Sequence, residues 1–403
     1  MERIVFVFRR VIARTRRPAT AVFTAIYAGS AFYMLHRLIT GYVHSSFLSQ
    51  FMTEKTIGLV FSTASILALL TFFIFAKLLR KVGAHRFFLL ISLVAIFATS
   101  LISITTTPVF AVALFITITI ASQLLYYIFD VFIELYSRSE TETGRVRGTY
   151  LTILTTSAIA ASLLMGLLVG DNEYWKGYLA AAIFLVPMVF LIGRATKNPP
   201  PFIRSEQAEL LSTIRSIVAN RNLRIILFLH FLLQLAFVWF VVYIPLYLTQ
   251  YIGFDWLTFG TLLSIGFLGY IITEYPAGWI ADNILGEKEL LATGFIILSG
   301  TLIAMSFITV ASFGIWVFVF LLSRAGAGLV ESMSESYFFK QVDGSDTTTM
   351  ALFRMLRPLA TITGPILVTL LLIYFPFQYI FVFCGIFILF FGLIGTLRLV
   401  DSR

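Results

Sequence analysis

Asp130 and Glu134, and again Glu331 and Glu335, stand four residues apart inside otherwise apolar segments. On a helix each pair shares one face, where two negative charges repel, so each requires cations nearby. The first half of the chain offers Arg80, Lys81, Arg86, Arg145 and Arg147, and the second half offers Lys288, Arg354 and Arg357. Two further arginines, Arg37 and Arg324, lie well inside apolar runs, where an ionisable group is costly and a functional candidate by default. A guanidinium there suits a carboxylate or phosphate, which it grips through a bidentate fork that lysine cannot reproduce. His36, next to Arg37, and His230, near Gln234, titrate near neutral pH and are candidates, with Glu331, for carrying a proton. Gln123, Tyr126, Tyr127, Gln234, Trp239, Tyr243 and Tyr270 are candidate cavity walls. Each has a plainer alternative. Arg37 could snorkel to a surface, Arg324 could pair with Glu331, a buried histidine could be merely hydrogen-bonded, and aromatic residues could simply pack.

The composition says what kind of element must position these groups. Of 403 residues, 59% are hydrophobic and 12% charged, against about 25% charged in a soluble domain. Twelve apolar stretches occur near 20–46, 56–79, 86–105, 108–136, 146–169, 175–194, 222–249, 256–281, 288–310, 313–339, 350–374 and 377–399. Each can cross a hydrocarbon core, which takes about 20 helical residues. The expected class is all-α integral membrane, with twelve transmembrane helices. The net charge of +9 does not indicate nucleic acid, because the basic residues gather on alternate loops. Arginines crowd before the first span and follow the second, fourth and sixth, whereas only Lys55 and Lys176 follow odd-numbered spans. This asymmetry places both termini in the cytoplasm of a multi-pass cell-membrane protein. The fourth and tenth spans then run inward, so both acidic pairs sit near helix C-termini, where the macrodipole adds to their repulsion.

Residues 1–17 join a short apolar run, Ile4 to Phe8, to arginines, which fits a surface-lying amphipathic segment better than a secretory signal. Pro199-Pro200-Pro201 ends the sixth span, and Ser205 is placed to cap a linker helix from Glu206 to Asn220. The expected units are an N-terminal six-helix half, 1–194, a cytoplasmic linker, 195–222, and a C-terminal half, 223–403. Pro245, Pro276 and Gly364-Pro365 permit bending of three later spans. Cys384 is the single cysteine, so no disulfide framework or cysteine metal site is expected. With no phosphate-binding loop, nucleophile elbow or metal spacing, neither an enzyme nor a cofactor is expected.

The halves repeat each other. Gly58 matches Gly260, Gly83 matches Gly286, and Asp130, Glu134 and Tyr136 recur as Glu331, Glu335 and Tyr337, all at offsets of about 200 residues. Six spans per repeat give both halves the same orientation. Between the eighth and ninth spans the chain reads Gly278-Trp279-Ile280-Ala281-Asp282-Asn283-Ile284-Leu285-Gly286-Glu287-Lys288. This resembles the loop between the second and third helices of each half in the major facilitator superfamily: glycine, three residues, aspartate, then basic residues around a second glycine. The chain has one extra residue before Gly286, and its upstream copy carries Ala76 for the glycine and Arg80 for the aspartate.

The resemblance implies two pseudo-symmetric halves that rock about a central cavity lined by the first and fourth helix of each. Arg37 and Arg324 fall on one such helix from each half. It also implies a cytoplasmic charge network that holds one state closed, with Arg80, Lys81, Arg86, Asp130, Glu134, Arg145, Arg147, Gly278, Asp282, Gly286, Lys288, Glu331, Glu335, Arg354 and Arg357 as members. The expected function is secondary active transport of a small polar or anionic solute by alternating access. The alternatives are a proton-coupled exporter of hydrophobic drugs or lipids and a non-transporting membrane sensor. Drug exporters of the family carry a glycine-rich run ending in glycine-proline in the fifth span, where this chain reads Thr155-Thr156-Ser157-Ala158-Ile159-Ala160-Ala161-Ser162. Expected partners are a small-molecule substrate, membrane lipids and a coupling proton or ion, with no nucleic acid and a monomeric state.

Overall fold

The computed structural model describes residues 19–137, 140–197, 210–342 and 347–400. Its twelve long helices are α1 Ala19–Leu48, α2 Glu54–Val82, α3 Ala84–Ile102, α4 Pro108–Tyr136, α5 Glu140–Val169, α6 Tyr174–Ala195, α7 Arg221–Leu246, α8 Trp256–Asn283, α9 Glu287–Met305, α10 Phe313–Gln341, α11 Thr347–Tyr374 and α12 Ile380–Arg398. A short linker helix, Leu210–Ala219, precedes α7. The 1–17 segment, the Ser205 cap and the expected first residues of the linker helix lie outside the described residues, as do the side chains of Arg80, Arg145, Arg147 and Asp282.

Eleven of these helices are long and apolar enough to cross a membrane. The twelfth, α1, carries Ser30, His36, Thr40, His44, Ser45 and Ser46, all buried, so its polarity faces protein rather than lipid. Lipid-facing positions read the opposite way, as with Leu90, Leu93, Val94 and Phe97 exposed along α3. The α7 helix is buried almost all round and lies at the centre of the bundle. Its start is capped by Asn220 Oδ1, which accepts from the Leu223 amide at 3.1 Å. Beyond Pro245 it continues as a π-helical turn, Tyr247–Ile252.

An even number of spans puts Ala19 and Arg398 at one end, the terminal end, and residues 49–53, 170–173 and 253–255 at the other, the distal end. The halves meet where α2 runs beside α11 and α5 beside α8. Each contact turns on a glycine five residues into its helix. A side chain at Gly58 would strike Tyr243 Oη at 2.8 Å and the Pro365 carbonyl at 3.1 Å, and one at Gly260 would strike the Ser162 carbonyl and Gly166. The repeat-related glycines are thus equivalent points of backbone approach between halves. Hydrogen bonds complete this distal seal: Gln250 Nε2 to Ser49 Oγ at 2.7 Å, Tyr251 Oη to Glu54 at 2.9 Å, and Trp256 Nε1 to Asn172 Oδ1 at 2.9 Å.

The charged turn differs from its expected geometry. The α8 helix runs on to Asn283, and Gly278 lies within it with nothing near enough to meet an added side chain. Close approach is therefore not what this glycine supplies here. Gly286 instead starts α9, its amide donating to Glu289 at 2.9 Å.

Candidate functional site

Arg37 sits eleven residues from the distal end of α1, about 16 Å of helix rise. Snorkelling to a surface does not describe it. Its guanidinium carbon lies 4.7 Å from the centre of the Tyr126 ring on α4, and Tyr33, one turn back on the same face, is its leading electrostatic neighbour. Tyr33 is in turn fixed by donating to the Ser122 carbonyl at 2.6 Å. From the other half, Arg357 enters the same field: Arg37 is its strongest electrostatic neighbour, ahead of Tyr126, Glu331 and Tyr33. Arg357 lies ten residues inside α11 and is exposed.

Arg324 is held differently. It is also eleven residues from the distal end of its helix, and it is 5% exposed. Its guanidinium lies 3.8 Å from the Phe240 ring centre, 5.4 Å from Phe267 and 5.9 Å from Tyr270. Nη2 donates to Tyr42 Oη of the opposite half at 3.2 Å. Aromatic faces and a phenol thus compensate this charge, where the plainer alternative was a pairing with Glu331. The buried Nε has no hydrogen-bond partner among the described residues. Tyr42 feels both Arg324 and Arg357, and Tyr270 feels both Arg324 and Glu331, so the three arginines form one electrostatic cluster. Among the described residues, Glu331 is the carboxylate that enters the field of Arg357 and of Tyr270.

Several candidates lie elsewhere. His36 Nδ1 donates to the Ala181 carbonyl and Nε2 accepts from Ser122 Oγ, both at 3.2 Å, so its neutral ring is satisfied within the first half. Ser334 Oγ gives its proton to the Glu331 carbonyl, so His230 Nδ1 donates to Ser334 at 2.9 Å while Nε2 accepts from Gln234 at 3.0 Å. These tautomers follow from the hydrogen-bond network; neither ring hydrogen-bonds an arginine, although His36 lies in the field of Arg37 and His230 in that of Arg357. Trp239 and Tyr243 direct their polar atoms to the Gly364 and Pro365 carbonyls of α11, at 2.8 and 3.5 Å, and belong to the helix joint. Gln123 is half-buried, and Tyr127 lies beside Asp130 and Arg354 rather than Arg37.

At the terminal end, Arg354 Nη1 pairs with Asp130 Oδ2 at 3.5 Å, across the halves. Sequence reasoning assigned Asp130 cations of its own half; of these, Lys81 and Arg86 are exposed. Glu134 and Glu335 are exposed as well, one turn further towards the terminal end. Lys288 does not serve an acidic pair, because its Nζ donates to the Leu399 carbonyl at 3.1 Å and closes the end of α12. The carboxylate missed by sequence reasoning is Glu287, 1% exposed and held by Lys340 and by Ser336 Oγ at 3.2 Å.

Two halves meeting along α2 with α11 and α5 with α8 agree with the sequence comparison, in which the profile of the Major Facilitator Superfamily matches residues 19–342 and again 226–403. The chain belongs to this superfamily. It is a multi-pass membrane protein of a transporter family and not an enzyme. Two solved structures of a bacterial homolog to the human lysosomal transporter Spinster, both inward-facing, share its fold. The unoccupied form matches with a TM-score of 0.73 and 11% identity over 94% of this chain and 97% of that one. The occupied form gives 0.67 and 13% over 94% and 92%. The POT family transporter PepTSo matches with 0.70 and 12% identity over 94% and 97%. No curated protein matches by sequence. In this major facilitator fold the arginine cluster lies on α1, α10 and α11, and Arg357 is the member that sequence reasoning assigned to the gate. Its spacing of three from Arg354 was the available signal, since both then share the face turned towards the first half.

Proposed function

We propose that this chain is a secondary active transporter of a small organic or phosphorylated anion, carried between its halves by alternating access. The observations that support this reading are that Arg37 and Arg357, one from each half, share one electrostatic field, and that the buried Arg324 Nε is unpartnered among the described residues. Two like charges held together raise the energy of the empty cavity, and a bound anion removes that cost by pairing with both. Tyr33, Tyr126, Tyr42 and Tyr270 orient the guanidinium groups and leave planar faces for an organic body. Glu331, which shares the field of Arg357, is the proton-coupling candidate in place of the two histidines, because it competes with substrate for the same cation.

Positive-inside asymmetry supports placing the terminal end in the cytoplasm of the cell membrane, with 1–194 and 223–403 as the rocking units and 195–222 as their linker. The Asp130 to Arg354 pair then belongs to the cytoplasmic gate. The test is uptake into proteoliposomes of a panel of labelled carboxylates and phosphate esters, with neutral and cationic solutes as controls. Saturable uptake of an anion, lost in Arg37→Lys and Arg357→Lys proteins that remain folded and inserted, is expected. Uptake of neutral or cationic solutes alone would overturn the reading.

A further inference from the structure

On the outside of the bundle, between α7 and α12 at the terminal end, lies a cleft of about 490 Å³ whose lining includes none of Arg37, Arg324 and Arg357. Arg224 and Arg398 line it together with Phe228, Phe390, Phe391 and Ile394, and among the described residues no carboxylate lines it. Arg224 is the fourth residue of α7 and Arg398 the last of α12, so both cations stand at the boundary where the spans leave the membrane. The aromatic residues continue from them into the spanning part, and Phe228, Phe390 and Phe391 are all exposed on the lipid-facing surface. Arg224 gives Nη1 to the Val218 carbonyl of the linker helix at 2.6 Å. Arg398 makes no ion pair or hydrogen bond among the described residues.

We propose that this cleft binds an anionic phospholipid. Its phosphate lies between Arg224 and Arg398, and one acyl chain follows Phe228, Phe390 and Phe391. The charge decides the class of lipid: two arginines without a carboxylate favour an anionic headgroup over a zwitterionic one, by about one kilocalorie's worth of attraction per cation at a membrane surface, or on the order of tenfold for the pair after screening. The apolar floor decides the source, since a free phosphate gains nothing from three exposed phenyl rings. Because Arg224 also holds the linker helix, the headgroup sits where it reinforces the joint between the linker and the second half.

The test is native mass spectrometry of the full-length protein in detergent with phosphatidylglycerol or phosphatidylcholine, together with thermal melting in each lipid and in inorganic phosphate. The wild-type protein should retain phosphatidylglycerol about tenfold better than phosphatidylcholine. Arg224→Gln combined with Arg398→Gln should abolish that preference, and the paired lysine substitutions should keep most of it. If the double variant does not fold, Arg398→Gln alone carries the test, with a loss of roughly threefold expected. Equal retention of the two lipids, or a preference that survives removal of the arginines, would overturn the proposal. So would inorganic phosphate stabilising as well as phosphatidylglycerol, which would make the cleft an ion site only.

Discussion

Replacing Arg357 by glutamine should stabilise the empty protein while weakening its hold on substrate. As a general scale, two unit charges repel by roughly 2 to 4 kcal/mol over about 4 to 8 Å at an effective dielectric of about 20. Arg357 is exposed, so screening reduces this to about 1 kcal/mol. Its attraction to Glu331 works the other way, but Arg37 weighs more on Arg357 than Glu331 does, which sets the sign. The ligand-free variant should therefore melt about 1 to 3 °C higher than wild type. A bound anion, in contrast, loses one charge-assisted hydrogen bond worth about 1.5 to 3 kcal/mol, so its dissociation constant should rise about 10- to 150-fold. Melting curves of detergent-purified protein, recorded across a titration of the transported anion, read both effects. A lower melting temperature without ligand, together with anion affinity within twofold of wild type, would refute the argument by showing that Arg357 serves only as an ion-pair partner.

Tyr42→Phe removes the hydroxyl that Arg324 contacts at 3.2 Å, and should cost about 1.5 to 3 kcal/mol in thermal stability; an unchanged melting curve would mean water replaces it. Gly260→Val places a side chain against Ser162 and Gly166 and should break the distal seal, so a cysteine introduced at Ser49 should react faster with aqueous thiol reagents. Unchanged reactivity would show that the seal does not depend on that approach. Asp130→Asn releases Arg354 and should lengthen spin-label distances between the terminal ends of α4 and α11, whereas unchanged distances would make the pair a static contact. Cysteines replacing Lys55 and Lys176 should label from outside the cell and one replacing Arg215 should not, with the reverse pattern inverting the orientation.

The spans were legible because apolar runs of about twenty residues carry their own signal. The repeat was legible for the same local reason, and the structure supplies the cause of its glycines: Gly58 and Gly260 each mark where one half touches the other. What sequence does not carry is the direction in which a side chain points inside a helix that is apolar all round. Trp239 and Tyr243 therefore looked like cavity walls, although α7 turns them onto the backbone of α11. His36 adjoins Arg37 in the chain but points about a quarter-turn away, towards α6 and Ser122. Arg357 was read among the gate cations because a position ten residues into its helix does not reveal whether water follows it inward. The partner of Asp130 lies 224 residues away and depends on how the halves lean together, which no local pattern encodes.

The central claim is that the arginine cluster of α1, α10 and α11 selects an anion, and matched acid and amide pairs test it most directly. Purified wild-type protein is melted with small carboxylic acids and with the corresponding neutral amides, which share shape and differ in charge. The cluster predicts that some acids stabilise, by about 2.7 kcal/mol at one hundred times the dissociation constant, while their amides do not. Equal stabilisation by acid and amide, or stabilisation by amides and amines alone, would contradict it.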